Sequence, residues 1–202
     1  MLWNLPMKIS PIVAHLRQYC PGFLGRVAGG IDFEVVAASA KLNHPSAYVI
    51  AAADKAGNNA IQNGVRQAIS DHFDVVLVVD TRDERGQEAA DLTHLFRAEI
   101  WKALIGWRPA AEYDPIEYEG GQLLSINRNR TVYRFGFSST FQLGRNAANQ
   151  PAETWHELEL DGLPGFSGAT FNMDCIDPAD PNLQRPGPDG RIEAKFSGDV
   201  TP

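Results

Sequence analysis

Three groups of residues have the types of a catalytic or metal site, and the spacing decides against each. Gly165-Phe166-Ser167-Gly168-Ala169 approaches the G-x-S-x-G elbow, in which a serine on a strand-to-helix turn attacks an acyl carbon. Ala169 stands where the closing glycine belongs, and the stretch sits among Pro and Gly, so it reads as a flexible turn. His156-Glu157 opens an H-E-x-x-H zinc motif, but Leu160 replaces the second histidine. Asp80, Asp83 and Glu84 carry the hard oxygen ligands that Mg²⁺ prefers. Arg82 and Arg85 lie among them and neutralise the cluster, so it reads as a solvated turn leading into a helix N-terminus, where acids favour the dipole. The same turn, with Arg82 and Arg85, is a candidate interaction surface. His15, His44, His72, His94 and His156 have no ligand spacing, and no G-x-G-x-x-G or G-x-x-x-x-G-K-[ST] loop occurs. Cys20 and Cys175 lack the C-x-x-C spacing of a zinc or redox site and read as two reduced thiols. The expectation is no catalytic residues, no metal and no cofactor.

Charge narrows the partners. Of 202 residues, 18 are basic and 25 acidic, a net charge of −7. Residues 1–149 carry 15 of each sign, whereas residues 150–202 carry 3 basic and 10 acidic residues and 7 of the 13 prolines. A neutral body and an acidic tail argue against nucleic acid, whose phosphates call for Lys and Arg. No apolar run approaches the length of a membrane span, and Met1 to Lys8 lacks the pattern of a secretory signal. The chain therefore reads as soluble and intracellular, with Met1 or Met7 as its start.

The elements that would position these residues follow from periodicity. Ile9, Ile12, Val13, Leu16 and Cys20 repeat at helical spacing behind Ser10 as N-cap and Pro11, and Pro21-Gly22 stops them. Strands are expected over 31–36 and 47–53. In 65–80 the odd positions Val65, Ile69, Phe73, Val75, Leu77 and Val79 are apolar, which favours one long strand bulged near Ser70-Asp71. The rival is a short helix to His72 and then a buried strand. Leu92, Leu95, Phe96, Ile100, Ala103, Leu104 and Trp107 form the stripe of the longest helix. Residues 113–122 read as a loop and short edge element. A hairpin runs from Leu123 to Ile126, turns at 127–130 and returns with Tyr133, Phe135, Phe137, Phe141 and Leu143 on one face. The fold class expected is α+β: a mainly antiparallel sheet with two helices packed on one face, plus a C-terminal acidic extension.

Four stretches carry a resemblance. They are Met7-Lys8-Ile9 through Cys20-Pro21; Ser46 to Ile50 through Asn63-Gly64-Val65 to Val79; and the strand ending Phe141-Gln142-Leu143. The most specific is the succession Gly106-Trp107-Arg108-Pro109, Tyr113-Asp114-Pro115-Ile116-Glu117-Tyr118, Gly120-Gly121-Gln122-Leu123-Leu124. On these, residues 7–145 resemble the tail terminator proteins of tailed phages and prophages. The resemblance implies a virion structural protein of the tail, assembled in the host cytoplasm. It implies a ring, usually of six subunits, that caps the tail tube, stops its growth and offers a surface for head–tail joining. Its partners would be further copies of itself, the tail tube protein and a head-completion or neck protein, with no membrane, no specific nucleic acid and no chemistry. The alternatives are another neck or tail-completion protein or, remotely, a metal-dependent hydrolase using Asp80, Asp83 and Glu84.

Ring closure by rotation calls for one patch meeting a different patch on the neighbour. Trp107, Arg108, Tyr113 and Tyr118 combine aromatic surface, an Arg and a rigid turn, the composition of interface anchors. Trp107 could equally end the helix stripe as core. The domains expected are 1–149, the body, and 150–202, an acidic Pro/Gly-rich arm. In the arm, 155–160 and 191–196 alternate like short strands with loop over 162–188, and strands so short need a sheet edge to join.

Overall fold

The computed structural model describes residues 7–29, 45–81, 87–147, 149–173, 192 and 194–199. The expected strand at 31–36 and residues Arg82, Asp83, Glu84, Arg85 and Cys175 lie outside them. The described residues divide into two units, Met1–Leu158 and Glu159–Pro202.

In the first unit, α1 (Ile9–Tyr19) buries Ile12, Val13 and Leu16, as their spacing requires. It begins at Ile9 with Lys8 in the cap position and no side-chain cap, so Ser10 and Pro11 fall inside the first turn, where a missing N–H costs nothing. A 3₁₀ turn (Pro21–Phe23) follows and leads to β1 (Val27–Gly29). Then come β2 (Ser46–Ala56), β3 (Gln67–Asp80), α2 (Gln87–Leu104), β4 (Glu117–Ile126) and β5 (Arg130–Leu143).

The five strands form one sheet in the order β1-β2-β3-β5-β4. It is mixed: β1 and β2 run parallel, and the other three pairings are antiparallel. The parallel pair sits where the chain between strands is long enough for a crossover, and the antiparallel pair β4 and β5 where a tight turn suffices. That turn is held by Asn127, whose side-chain oxygen accepts from the backbone N–H groups of Asn129 and Arg130.

β3 is the single long strand that period two favours, 14 residues at the centre of the sheet. The bulge lies on its partner. Ala51 faces Phe73 and Ala53 faces His72, so Ala52 is the extra residue of β2. The odd residues Phe73, Val75, Leu77 and Val79 join Phe135 and Phe137 of β5, Ile12 and Leu16 of α1, and Phe96, Ile100 and Leu104 of α2 in the main core. On the opposite face Tyr48, Val76, Val78 and Val132 form a second buried cluster, which is why this stretch of β3 is apolar at every position.

The helix stripe is narrower than the sequence suggests. α2 buries Ala89, Thr93, Phe96, Ile100, Ala103 and Leu104, while Leu92 and Leu95 are exposed.

The C-terminal segment differs most. Trp155–Asp161 is a helix, α3, where alternation suggests a strand. Thr154-Trp155-His156-Glu157 is a capping box: the Thr154 N–H donates to Glu157 Oε2 at 3.1 Å, and the Glu157 N–H to Thr154 Oγ1 at 3.4 Å. In the second unit β6 (Gly168–Met173), within an expected loop, pairs antiparallel with β7 (Ala194–Asp199), which is displaced from the expected 191–196.

Candidate interaction surface

The segment between α2 and β4 is built to be rigid. α2 ends at Leu104, and Gly106 turns the chain with φ +84°, a left-handed conformation that suits glycine. The Gly106 N–H donates to the Ile116 carbonyl at 3.1 Å, and the Ile116 N–H to the Trp107 carbonyl at 2.9 Å. The Asp114 N–H donates to the Thr140 carbonyl at 2.8 Å, and the Ser139 hydroxyl to the Asp114 carbonyl at 2.6 Å. Two backbone bonds thus close the loop and two more tie it to β5.

Tyr113 lies inside this loop. It is 2% exposed, its ring lies 4.9 Å from that of Phe141, and its hydroxyl donates to the carboxylate of Asp71 on β3. Burial, with that hydrogen bond and the Asp71 charge, pushes its phenol well above the ordinary range. Its surface is therefore taken up within its own chain.

Trp107 is half-buried. Its ring stacks on His15 of α1 with centroids 4.0 Å apart, and His15 in turn lies 4.5 Å from Tyr19, which is 54% exposed. His15 Nε2 lies 3.0 Å from the Ala103 carbonyl, which fixes the ring. The result is a three-ring ladder across the ends of α1 and α2, with Arg108 exposed beside Trp107 in sequence. Trp107→Ala removes one face of packing from the edge of the core. A fully buried Trp→Ala change costs about 3–5 kcal/mol, and half of that, about 2 kcal/mol, is expected here. For a chain of this size that lowers the thermal midpoint by about 4–8 °C, which a melting curve checks.

Tyr118 is half-buried too, in a second cluster. Its ring meets Trp101 edge-on at 5.0 Å, and Arg97 lies 4.7 Å over the Trp101 ring. Gly121 makes room for it: a Cβ there would stand 2.8 Å from the Tyr118 hydroxyl and 2.7 Å from the Tyr133 ring. The structure thus brings Trp107 next to Arg108, and sets Tyr118 against Trp101. Sequence reasoning missed the exposed pair Leu92 and Leu95, one helical turn apart and 40% and 67% exposed.

The chemical motifs acquire structural roles. His156 Nε2 lies 3.1 Å from the Asn63 carbonyl, and Glu157 belongs to the capping box. Ser167 precedes β6 directly. Asp80 ends β3, in register with Arg130. Among the described residues no group of three or more His, Cys, Asp or Glu side chains could hold a metal ion. Burial pushes the Cys20 thiol up to about 12, with the Glu99 charge adding to it, so this thiol stays protonated and unreactive. No helix among the described residues is long and apolar enough to cross a membrane.

Two carboxylates clasp the chain after β5. Glu153 accepts from the Gly144 N–H at 2.9 Å. Glu157 accepts from the N–H groups of Arg145 at 2.6 Å, Glu153 at 2.8 Å and Thr154 at 3.1 Å. Burial pushes the Glu157 carboxyl up, but these three bonds and the Thr154 hydroxyl outweigh it and hold the group below the ordinary 4.5. A depressed folded value means that Glu157 stabilises the clasp fully above its ordinary value and loses that contribution as pH falls through the folded one. Glu157→Ala is expected to speed hydrogen exchange at Arg145, Glu153 and Thr154 about 10- to 100-fold at neutral pH, as for lost hydrogen bonds to a charged group. The difference from the unaltered chain, corrected for intrinsic rates, should shrink in acid.

Comparison with known proteins finds a family match over residues 2–149, to the family described as "Phage tail terminator protein". Those residues include the five-stranded sheet, α1 and α2. Among solved structures, one similar chain comes from "Virion of native gene transfer agent (GTA) particle", at 12% identity and a TM-score of 0.41. The likeness covers 65% of this chain and 91% of that one. No curated protein matches.

Proposed function

The chain belongs to the phage tail terminator family, and from that premise we propose that it caps the tail tube as a ring. The ring stops tube polymerisation and presents a face to the head-completion or neck protein for head–tail joining. It acts by binding alone, without catalysis, metal or cofactor, in the virion tail after assembly in the host cytoplasm. Its partners are further copies of the same chain, about six to a ring, and the tail tube protein. The observation that carries this reading is the family match over the whole body of the fold, residues 2–149.

The surface chemistry supports it. A ring needs two unlike patches on each copy. The Trp107 and Arg108 corner, stiffened by the closed loop, offers an aromatic and an Arg, and the outer face of α2 offers Leu92 and Leu95. Arg82 and Arg85, interleaved with Asp83 and Glu84 before α2, add side chains able to pair with charges of either sign on a neighbour. Residues 150–202 lie beyond the matched stretch.

The test is to mix purified protein with tail tubes and image them by electron microscopy, with the native mass of the free protein measured beside it. A ring seated at one end of each tube is expected. Binding along the tube wall, or none, would contradict the reading.

A further inference from the structure

The β6 and β7 hairpin is amphipathic to a degree its composition hides. Phe171 pairs with Phe196, Met173 with Ala194 and Ala169 with Gly198, so these six residues share one face. Thr170 with Ser197, Asn172 with Lys195 and Gly168 with Asp199 occupy the other, where the Thr170 and Ser197 hydroxyls lie 3.1 Å apart. The apolar face is uncovered: Phe171 is 66%, Phe196 60% and Met173 48% exposed. An isolated two-stranded hairpin is marginal in water, and an open apolar face makes it more so.

The body carries a matching half. Along β2, β3 and β5 the sheet holds a groove of about 570 Å³, lined mainly by apolar residues such as Met7, Ile9, Ile69, Phe141 and Leu143, with Asp54, Asp71 and His72 also in its wall. Ala51, one of its lining residues, is exposed.

We propose that the apolar face of the β6 and β7 hairpin of one copy seats in this groove of a neighbouring copy. A groove-to-hairpin contact is heterologous, so repeating it around a closed ring fills every groove and covers every hairpin with none left over. Three large side chains make a contact far smaller than the about 1,200–2,000 Å² of an independent complex. A separate partner would have too little to hold. A copy already beside its neighbour has the effective concentration that makes a small contact count. This inference rests on the ring proposed above.

The test uses two full-length chains, each with Cys175→Ser. One also carries Ala51→Cys and the other Ala169→Cys, so neither can link within itself. Cys20 is left in place, buried and protonated. After assembly on tail tubes and oxidation with diamide, a covalent pair of unlike chains is expected to dominate. Adding Phe171→Ser and Phe196→Ser should lower its yield at least tenfold while rings remain. Rings without the unlike pair, or with an equal yield in the serine variant, overturn the hairpin contact alone. Monomers without rings overturn the ring reading and this contact with it.

Discussion

Gly144→Ala is expected to be among the most damaging single substitutions in the chain, at about 3–5 kcal/mol. Gly144 follows β5 with φ +102°, a conformation that L side chains rarely adopt. A Cβ there would lie 2.0 Å from the Val65 carbonyl oxygen and 3.0 Å from its carbon. Those are backbone atoms, so relief requires moving the chain that leads into β3, and with it the clasp of Glu153 and Glu157. Against a total stability of about 5–15 kcal/mol, that loss leaves little margin. Gly106→Ala is the control. Its φ of +84° is equally unsuited to a side chain, but nothing lies within 4 Å of the added Cβ. It should cost only the backbone penalty, about 1–2 kcal/mol. Denaturant unfolding of the two variants separates conformational strain from steric collision.

Phe135→Ala is expected to cost about 3–5 kcal/mol as well, by leaving a cavity. Phe135 is fully buried, opposite Val75 of β3 and Gly121 of β4, with its ring 4.9 Å from Tyr133. It belongs to the sheet's helix-facing core, so the thermal midpoint should fall with it. The same unfolding curves, with the midpoint and slope fitted separately, check it.

What could be read beforehand follows physical lines. The long strand β3 and the aromatic face of β5 were legible because period two persists over many residues, and a helix cannot keep that pattern on one face. Leu92 and Leu95 were misassigned because a 3.6-residue period gives the direction of a stripe and leaves its width open. Periodicity suggests a bulge on β3 at Ser70-Asp71, yet it belongs to Ala52, since sequence does not say which strand of a pair takes the extra residue. The parallel pairing of β1 and β2 departs from the mainly antiparallel sheet expected, because periodicity within a strand does not fix the direction of its neighbour.

The arm shows a different failure. Trp155-His156-Glu157-Leu158-Glu159-Leu160 alternates, but the Thr154 to Glu157 capping box settles it as a helix start, and that local signal was present to be read. The candidate surface is legible in residue type and not in packing. Composition singled out Trp107, Arg108, Tyr113 and Tyr118, but whether an aromatic is spent at home depends on partners far along the chain. Asp71, 42 residues away, takes the Tyr113 hydroxyl, and His15 supports Trp107 from α1.

We propose that this chain ends tail growth. The direct measurement is electron microscopy of particles from a phage or prophage in which the chain is removed and all else kept. Tails of abnormal length that fail to join heads are the predicted result, restored to one length by supplying the protein in trans. Tails of normal length, joined to heads in its absence, would contradict the account.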